Sequence, residues 1–299
     1  MKNSPLYTEL LEKLALSLTI LPDKPEETPA SCLMALWHKA AGFEVSAASS
    51  ITTPLSSLSP DSEKSLRLLV DARLSGKPLA YLTGRQQFMG LDFISTPEAV
   101  IPRKDTESLV KAVSHFLTKG SSSGHPQVVI DVFTGSGNVV LSLARRVPGP
   151  RYFGSDISAD AINLARRNAE HLQLTSACTF LCGELFTPFA HSDFHGQVDF
   201  ISGAPPFISS RKVPSMAPEI SQHEPALAFD AGPFGVTLFL RLIAEAPAFL
   251  KSGGWLLFEV GLGQGVGILK RLSNDSTYRN AQPFCDENGD IRVVAAQRK

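Results

Sequence analysis

A glycine-rich turn and a carboxylate about 25 residues further on are spaced to hold a nucleoside. The turn reads DVFTGSGN and runs from Asp131 to Asn138. Its glycines, Gly135 and Gly137, allow a tight bend and a close approach of the backbone to a ligand. Asp156 stands in GSDIS, where a carboxylate can accept both ribose hydroxyls. The alternative for Asp156 is an N-cap of the helix that follows.

The spacing of the glycines favours one nucleoside cofactor over another. Dinucleotide sites usually carry G-x-G-x-x-G, in which the last glycine lets the helix pack closely, but Val140 stands three residues after Gly137. S-adenosylmethionine (SAM), which has no phosphates, fits this turn better than NAD. In GELF, residues 183–186, Glu184 or the neighbouring backbone is placed to meet the adenine edge. The alternative for Glu184 is a surface carboxylate.

A second candidate site is the stretch ISGAPPFIS, residues 201–209. The preceding VDFI has the pattern of a buried strand. Two consecutive prolines end such a strand in a rigid turn, because proline has no N–H and a fixed φ. Rigid corners at the carboxyl ends of strands are where α/β proteins place ligands. Residues 204–207, the proline corner, are therefore a predicted binding element, although they carry no polar side chain.

The elements that position both sites alternate between strand and helix. The apolar runs QVVIDVF, RYFGSDIS, CTFLCGELF, VDFISGAPPF and GGWLLFEVG predict buried strands, and the stretches NVVLSLARRV and ADAINLARRNAEHLQL predict helices between them. This alternation predicts a doubly wound α/β sheet. The tail predicts two further strands around Asn288-Gly289, a hairpin dipeptide. An antiparallel hairpin at the edge of such a sheet is typical of class I methyltransferases.

The amino-terminal part has a different pattern. Three stretches, YTELLEKLALSLTIL, ASCLMALWHKAAG and SPDSEKSLRLLVDARLSG, have apolar residues at helical spacing. RQQFMGLDFIST then predicts a short β-hairpin about Met89-Gly90. We therefore expect a helical domain over residues 1–84 and, over residues 85–299, the hairpin linker and a SAM-binding Rossmann-like domain. KGSSSGHP, residues 119–126, predicts a loop before the first strand of the sheet.

Composition excludes several classes of protein. With 43% hydrophobic residues and 19% charged ones, the 299-residue chain has the balance of a globular protein with a substantial core. A formal net charge of −1 offers no broad surface for nucleic acid. The four cysteines match no zinc pattern, so we expect no metal, and their scarcity fits a reducing compartment. The amino terminus has neither a secretory apolar segment nor a membrane span, so we expect a cytoplasmic protein.

The chain resembles the HemK/PrmC glutamine N5-methyltransferases, which methylate a glutamine amide in peptide-chain release factors. The resemblance covers most of the chain and rests on GKPLAYLTGRQQFMGLDF, VIPRKDTESLV, DVFTGSGN, GSDISADAINLARRNA, GELF, HEPALAFDAG, LKSGGWLLFEVG and GDIRVV. It implies a Rossmann-like class I methyltransferase sheet, a small N-terminal helical domain and SAM as cofactor. With the turn, it assigns these residues to the cofactor site: Asp131, Phe133, Thr134, Gly135, Ser136, Gly137, Asp156, Ile157, Glu184, Leu185, Ala204 and Pro205.

Two places depart from the family pattern. In the family signature Asn-Pro-Pro-Tyr, the Asn side chain and a Pro carbonyl hold the acceptor amide, and the aromatic ring packs on it. This chain has Ala204, Pro205, Pro206 and Phe207 instead. An amide nitrogen is a poor nucleophile, so losing one polar contact to it costs about 3 kcal/mol, roughly a hundredfold in rate. Phe133 stands where the family often has Gly.

An apolar corner beside a sulfonium suits a reaction without an amide acceptor, and we predict cyclisation of SAM itself. Its α-amine attacks its own γ-carbon and expels methylthioadenosine, giving azetidine-2-carboxylate. Phe207 is expected to face the sulfonium, a contact worth about 1 kcal/mol. Asn138 and Ser202 are expected to accept a hydrogen bond from the neutral amine. On this hypothesis the substrate is SAM alone or another small molecule.

Three alternatives stay open. The first is methyl transfer to a small amine, acid or hydroxyl. The second is retained methylation of a release-factor glutamine. The third is an inactive SAM-binding adaptor that docks a release factor through its helical domain. The two polar residues also have plainer interpretations, since Asn138 suits a helix N-terminus and Ser202 a buried strand position.

Overall fold

The fold is described from a computed structural model that covers residues 4–119, 126–191 and 193–299. The helices are α1 (Pro5–Ser17), α2 (Pro29–Ala40), α3 (Ala47–Ser50), α4 (Pro60–Leu74), α5 (Leu79–Thr83), α6 (Glu107–Lys119), α7 (Asn138–Arg146), α8 (Ala159–His171), α9 (Pro218–Ser221), α10 (Thr237–Glu245) and α11 (Gly265–Asn274). The strands are β1 (Arg85–Phe88), β2 (Leu91–Ile94), β3 (Val128–Val132), β4 (Arg151–Asp156), β5 (Cys178–Cys182), β6 (Val198–Gly203), β7 (Leu250–Glu259), β8 (Tyr278–Cys285) and β9 (Ile291–Arg298). Residues 120–125 of the predicted Ser/Gly loop lie outside the described residues.

A seven-stranded sheet has the order β5-β4-β3-β6-β7-β9-β8. The strands β3 to β7 pair in parallel, and β9 joins β7 and β8 in antiparallel pairs. The sheet confirms the predicted doubly wound α/β fold and the hairpin of the tail. Its strand order reverses at β3, which lies between β4 and β6. A crevice for ligands opens at such a reversal, outside the carboxyl ends of the strands.

The three long helices of the amino-terminal part are those predicted, and each begins on the same local signal. Ser4, Thr28 and Ser59 each accept the N–H of the residue three positions on, and each is followed by a proline in the first turn. The cap satisfies an otherwise unpaired N–H, and proline has none to lose. The helices bury a core that includes Leu10, Leu14, Leu33, Leu36, Trp37 and Leu66. No helix within the described ranges combines the length and apolar character needed to cross a bilayer.

The chain divides into two compact units. The first comprises Met1–Pro97, Ile101–Lys104 and Met216–Glu224, and the second comprises Glu98–Val100, Asp105–Ser215 and Pro225–Lys299. The domain boundary after residue 84 stays a prediction, and the compact units differ from it because the β1–β2 hairpin groups with the helices.

Hydrogen bonds to the hairpin explain this grouping. The hydroxyls of Ser46 and Ser49 donate to Asp92 on β2, at 2.7 and 2.9 Å. These bonds join the hairpin to α3 and the residue that caps it. The predicted turn at Met89-Gly90 is confirmed, with φ of 52° and 79° at its two residues and Phe88 paired with Leu91.

An ionic cluster of four buried side chains lies within the first unit. Glu219 on α9 accepts hydrogen bonds from Lys24 Nζ at 2.8 Å and Arg73 Nη1 at 2.6 Å. Arg73 also donates to Glu27 at 2.7 Å. All four side chains are buried, so removing one charge leaves its partners unpaired in a medium where unpaired charge is costly. The cluster therefore fixes the segment Met216–Glu224 to the helices of its unit.

Replacing Glu219 by Gln tests that role. We expect the first unit to lose about 3 kcal/mol of unfolding free energy, because Lys24 and Arg73 stay buried without a full counter-charge. Urea denaturation followed by Trp37 fluorescence, in a Trp255→Phe background, measures it. Glu9→Gln removes an exposed ion pair to Arg67 in the same unit and should leave the midpoint near that of the parent. Equal midpoints for the two variants would contradict the anchoring role.

Candidate active site

A buried carboxylate at the end of β3 organises the glycine turn. Asp131 accepts the Thr134 hydroxyl at 2.8 Å on one oxygen and the Ser202 hydroxyl at 2.7 Å on the other. Burial raises the pKa of Asp131 to about 6, and the two hydroxyl bonds, which favour the charged form, limit the rise. Because Thr134 belongs to the turn and Ser202 to β6, one carboxylate ties the turn to the neighbouring strand.

The turn itself uses left-handed backbone at three of five positions. Phe133, Gly135 and Gly137 have φ of 64°, 52° and 81°. A side chain on Gly135 would meet no atom within 4 Å, so open space lies in front of its backbone, whereas one on Gly137 would press on Leu141 at 3.0 Å. The first glycine therefore leaves room for a ligand, and the second allows α7 to pack. Phe133 adopts a conformation that costs a non-glycine residue of order 1 kcal/mol or more.

The second carboxylate lies where the sequence predicts a ribose contact. Asp156, at the end of β4, accepts the N–H of Gly135 and the N–H of Ser158, both at 2.9 Å. Burial raises the pKa of Asp156, and these backbone bonds oppose the rise. The N–H of Ile157 also bonds this carboxylate, which leaves about one of its four acceptor positions for a further donor. The side chain of Ile157, the next residue, is exposed beside it.

The loop after β5 contains two residues predicted for the cofactor site, of which Leu185 is buried and Glu184 is exposed. Leu185 is buried with a left-handed φ of 47°, and its carbonyl accepts the Ser155 hydroxyl of β4 at 3.2 Å. Glu184 is exposed and forms an ion pair with Arg241 on α10. An adenine contact by Glu184 would have to compete with that pair, so the backbone of this loop is the better candidate for the adenine edge.

The proline corner leaves the sheet directly beside the glycine turn. Gly203, the last residue of β6, pairs with Val132 of β3, and a side chain on Gly203 would meet the Val132 carbonyl at 2.9 Å and the Phe133 ring at 3.4 Å. Only glycine fits this contact. Ala204 and the rest of the corner follow at once, so the turn and the corner begin on adjacent strands, about 4.8 Å apart.

The three residues predicted to be catalytic occupy different environments. Asn138 is the first residue of α7, and its amide lies 3.5 Å from the Ser136 hydroxyl. Ser202 is completely buried and donates to Asp131, so it supports that carboxylate. Phe207 is half-buried, packs against the core of the second unit and would contact a side chain at Gly261. The corner itself holds Ala204 half-buried and Pro205 buried.

Gln264, which sequence reasoning missed, contacts the proline corner. Its side-chain amide bonds the backbone of Phe207, Gly235 and Gly261. The signal was the polar residue in EVGLGQG after the predicted strand GGWLLFEVG, at the same edge of the sheet as the two candidate sites.

The donor set fits SAM. An open glycine backbone, a ribose carboxylate at the end of the next strand and an apolar loop after the third are complementary to a nucleoside without phosphates. Among the residues that the structure describes, no group of three His, Cys, Asp or Glu side chains gathers as a metal site. The sheet order, the turn and the carboxylate together define a class I methyltransferase.

Comparisons with known proteins identify the family. A family model described as a methyltransferase domain matches residues 125–233. The chain is 36% identical over 230 residues to the release factor glutamine methyltransferase of Moorella thermoacetica, which covers 77% of this chain and 78% of the relative. It is 34% identical over 246 residues, 80% of each chain, to that of Geobacter sulfurreducens. The chain belongs to the release factor glutamine methyltransferase family, of HemK/PrmC type, and its cofactor is SAM.

A solved structure confirms the fold. The human Mettl16 catalytic domain, in complex with a MAT2A 3′UTR hairpin, aligns with a TM-score of 0.53 over 76% of this chain and 81% of its own, at 17% identity. At that identity the likeness establishes the class I methyltransferase fold and nothing about the acceptor.

Asp156→Asn should weaken binding of SAM and of S-adenosylhomocysteine alike, since both carry the ribose. The loss should be about 2 kcal/mol, roughly thirtyfold in affinity, because a charge-assisted bond to the ribose becomes a weaker neutral one. Isothermal titration calorimetry measures both ligands. Asp160→Asn, an exposed carboxylate in the first turn of α8, is the matched control. Parent-like affinity in Asp156→Asn would remove Asp156 from the cofactor site.

The Asp131–Ser202 bond predicts a pH-dependent cost for Ser202→Ala. The folded-state pKa of Asp131, about 6, lies above its usual value of 3.8. The folded protein therefore binds the proton more tightly than the unfolded chain does, and its unfolding free energy falls as the pH rises from 3.8 through 6. Above that pH the buried carboxylate of Asp131 is charged, and the hydrogen bond from the Ser202 hydroxyl then contributes more to stability. We expect a loss of about 2 kcal/mol at pH 8 and a smaller one at pH 5.

Urea unfolding followed by Trp255 fluorescence, in a Trp37→Phe background, measures this difference. Ser142→Ala removes another buried hydroxyl of the second unit, which has no partner among the described residues, and should show no pH dependence. A Ser202→Ala cost that is the same at both pH values would mean that the bond does not favour the charged carboxylate.

Proposed function

We propose that this SAM-dependent methyltransferase transfers a methyl group to the side-chain amide nitrogen of a glutamine in a peptide-chain release factor. The observation that carries the proposal is the family membership together with a proline corner that starts on the strand beside the cofactor turn. The names of the two relatives support a release-factor glutamine as the acceptor. The register of Gly203 with Val132 supports delivery of that acceptor next to the cofactor.

Bound SAM supplies an electrophilic methyl group. The protein's share of the work is binding and orientation: Asp156 is placed for the ribose, and the Gly135 backbone lets the cofactor approach. The hydroxyls of Thr134 and Ser202 favour the ionised form of Asp131, and a negative charge there favours a cation near the turn. In the transfer, the methyl carbon would bond to the amide nitrogen as its bond to sulfur breaks, the nitrogen would release one proton to solvent, and S-adenosylhomocysteine would be left.

Ala204 changes how the acceptor amide is held. In the family pattern an Asn at this position bonds the amide, whereas Ala204 offers only its backbone. The carbonyls of the corner remain, and the half-buried Phe207 ring remains to pack against the amide plane. Loss of one positioning contact lowers the rate by roughly a hundredfold. We therefore propose a slow methyltransferase whose acceptor is oriented mainly by the corner's backbone and by contacts elsewhere on the release factor.

Cyclisation of SAM gains no support from the comparisons or from the two residues expected to bind its amine. Ser202 gives its hydrogen to Asp131 and is completely buried, and Asn138 occupies the first position of a helix. The same holds for an acceptor set limited to small molecules, since the relatives are named for a protein substrate. Cyclisation therefore serves as the contrary outcome of the test below.

Incubating the pure chain with SAM and a purified release factor tests the proposal. Mass spectrometry should find one glutamine carrying an added methyl group, with matching S-adenosylhomocysteine. Ala204→Asn should raise the rate roughly tenfold to a hundredfold, whereas Ala204→Asp, which adds a side chain of nearly the same size without the amide donor, should not. Methylthioadenosine and a four-membered imino acid from SAM alone would overturn the proposal in favour of cyclisation.

A further inference from the structure

Gln264 joins three loops through one side-chain amide. Its Nε2 donates to the carbonyl of Phe207 and to the carbonyl of Gly235, each at 3.1 Å. Its Oε1 accepts the N–H of Gly261 at 3.0 Å. The two carbonyls and the single N–H determine the orientation of the amide, because a flipped group would set its oxygen against both carbonyls.

The backbone around Gln264 is built for close approach. A side chain on Gly261 would meet Gln264 Oε1 at 2.6 Å and the Phe207 ring at 2.8 Å. One on Gly235 would meet the Phe207 carbonyl at 2.7 Å. The absence of side chains at both glycines therefore leaves room for the Gln264 amide, the Phe207 ring and the Phe207 carbonyl. The arrangement is specific to these positions and does not follow from helix formation alone, since Gln264 caps α11 without a side-chain bond to the helix.

Ile208, the residue that follows the proline corner, is held by two backbone hydrogen bonds. Ile208 donates to Phe229 at 3.0 Å and accepts from Ala231 at 2.8 Å. The Phe207 carbonyl accepts from Gln264 instead. The chain that leaves the proline corner is thus held by backbone at Ile208 and by one glutamine at Phe207.

We propose that Gln264 is a positioning residue for methyl transfer, acting through the backbone of Phe207 to hold the proline corner in the shape that receives the acceptor amide. The role rests on the proposed function, because the corner is the acceptor site in that proposal. Since Ala204 offers no side-chain bond to the acceptor, the direction of the corner's backbone decides how the amide meets the methyl group. Gln264 touches neither the glycine turn nor Asp156 through any of its three bonds.

Two substitutions test the role through turnover. Gln264→Ala should lower kcat/KM for the release factor by tenfold or more, with SAM affinity within twofold of the parent. Gln264→Glu keeps an acceptor for the Gly261 N–H, but its second oxygen faces the carbonyls of Phe207 and Gly235. The ionised carboxylate has no hydrogen to donate to them, whereas the neutral acid can restore one of the two lost bonds. The activity of Gln264→Glu, relative to the parent at each pH, should therefore rise as the pH falls.

Hydrogen exchange tests the positioning without turnover. In Gln264→Ala, the backbone amides of residue 204, of residues 207–210 and of Gly261 should exchange faster than in the parent, whereas Pro205 and Pro206 have no amide hydrogen to follow. Gly261→Ala should reproduce both the faster exchange of the corner and the lower kcat/KM, since it displaces the same contacts. Lys270→Ala, an exposed change on the same helix, should alter neither.

The outcomes separate this inference from the proposed function. If the parent does not methylate the release factor, the proposed function fails, and hydrogen exchange alone decides whether Gln264 holds the corner. Unchanged exchange in Gln264→Ala would overturn the positioning role. Faster exchange with parent-like turnover would overturn its importance for the acceptor. Faster exchange together with a lower kcat/KM, unchanged SAM affinity and recovery of Gln264→Glu at low pH would establish it.

Discussion

The buried carboxylate of Asp131 is the interaction on which both halves of the site depend. It bonds Thr134 in the glycine turn and Ser202 on β6, so the backbone that would receive the cofactor and the strand that leads into the proline corner share one anchor. Burying a carboxylate is costly unless its oxygens are bonded, and the two hydroxyls meet that requirement. A change at Asp131 is therefore transmitted to both parts of the site.

Several residues near the site keep conformations that an ordinary loop would relax. Phe133 and Leu185 have left-handed backbone without being glycine, at a cost of order 1 kcal/mol or more each. Each is held by its surroundings: Phe133 packs against the core, and the Leu185 carbonyl accepts a hydroxyl from β4. Such strain persists only where neighbouring contacts determine the backbone, which is consistent with a preformed cofactor site.

The sequence predicted the parts of this protein that local pattern determines. Apolar runs predicted the sheet, apolar residues at helical spacing predicted the amino-terminal helices, and Asn288-Gly289 predicted the tail hairpin, because each is a short-range signal. It did not predict the partner of Ser202 or the pairing of Glu184 with Arg241, since both depend on which strands and helices become neighbours. Gln264 escaped notice for the same reason: two of its three bonds reach residues 57 and 29 positions away in the chain.

The departure of the corner from the family pattern, by contrast, was visible in the sequence, but its consequence was not. Ala204 suggested a reaction without an amide acceptor. The chain nevertheless retains the family's sheet, cofactor turn and proline corner. It is also 36% identical to a release factor glutamine methyltransferase over 77% of its length. A lost side chain lowers the rate of a reaction without defining a new one. In our proposal, the backbone held by Gln264 orients the acceptor amide in place of the missing side chain.

The most direct test follows the methyl group. SAM carrying an isotope label on its methyl group is incubated with the pure chain and a purified release factor, and the label is located in protein and in small molecules. The account predicts that the label moves to a glutamine side chain of the release factor and that the unlabelled product is S-adenosylhomocysteine. Label retained in methylthioadenosine, with none in the protein, would contradict it.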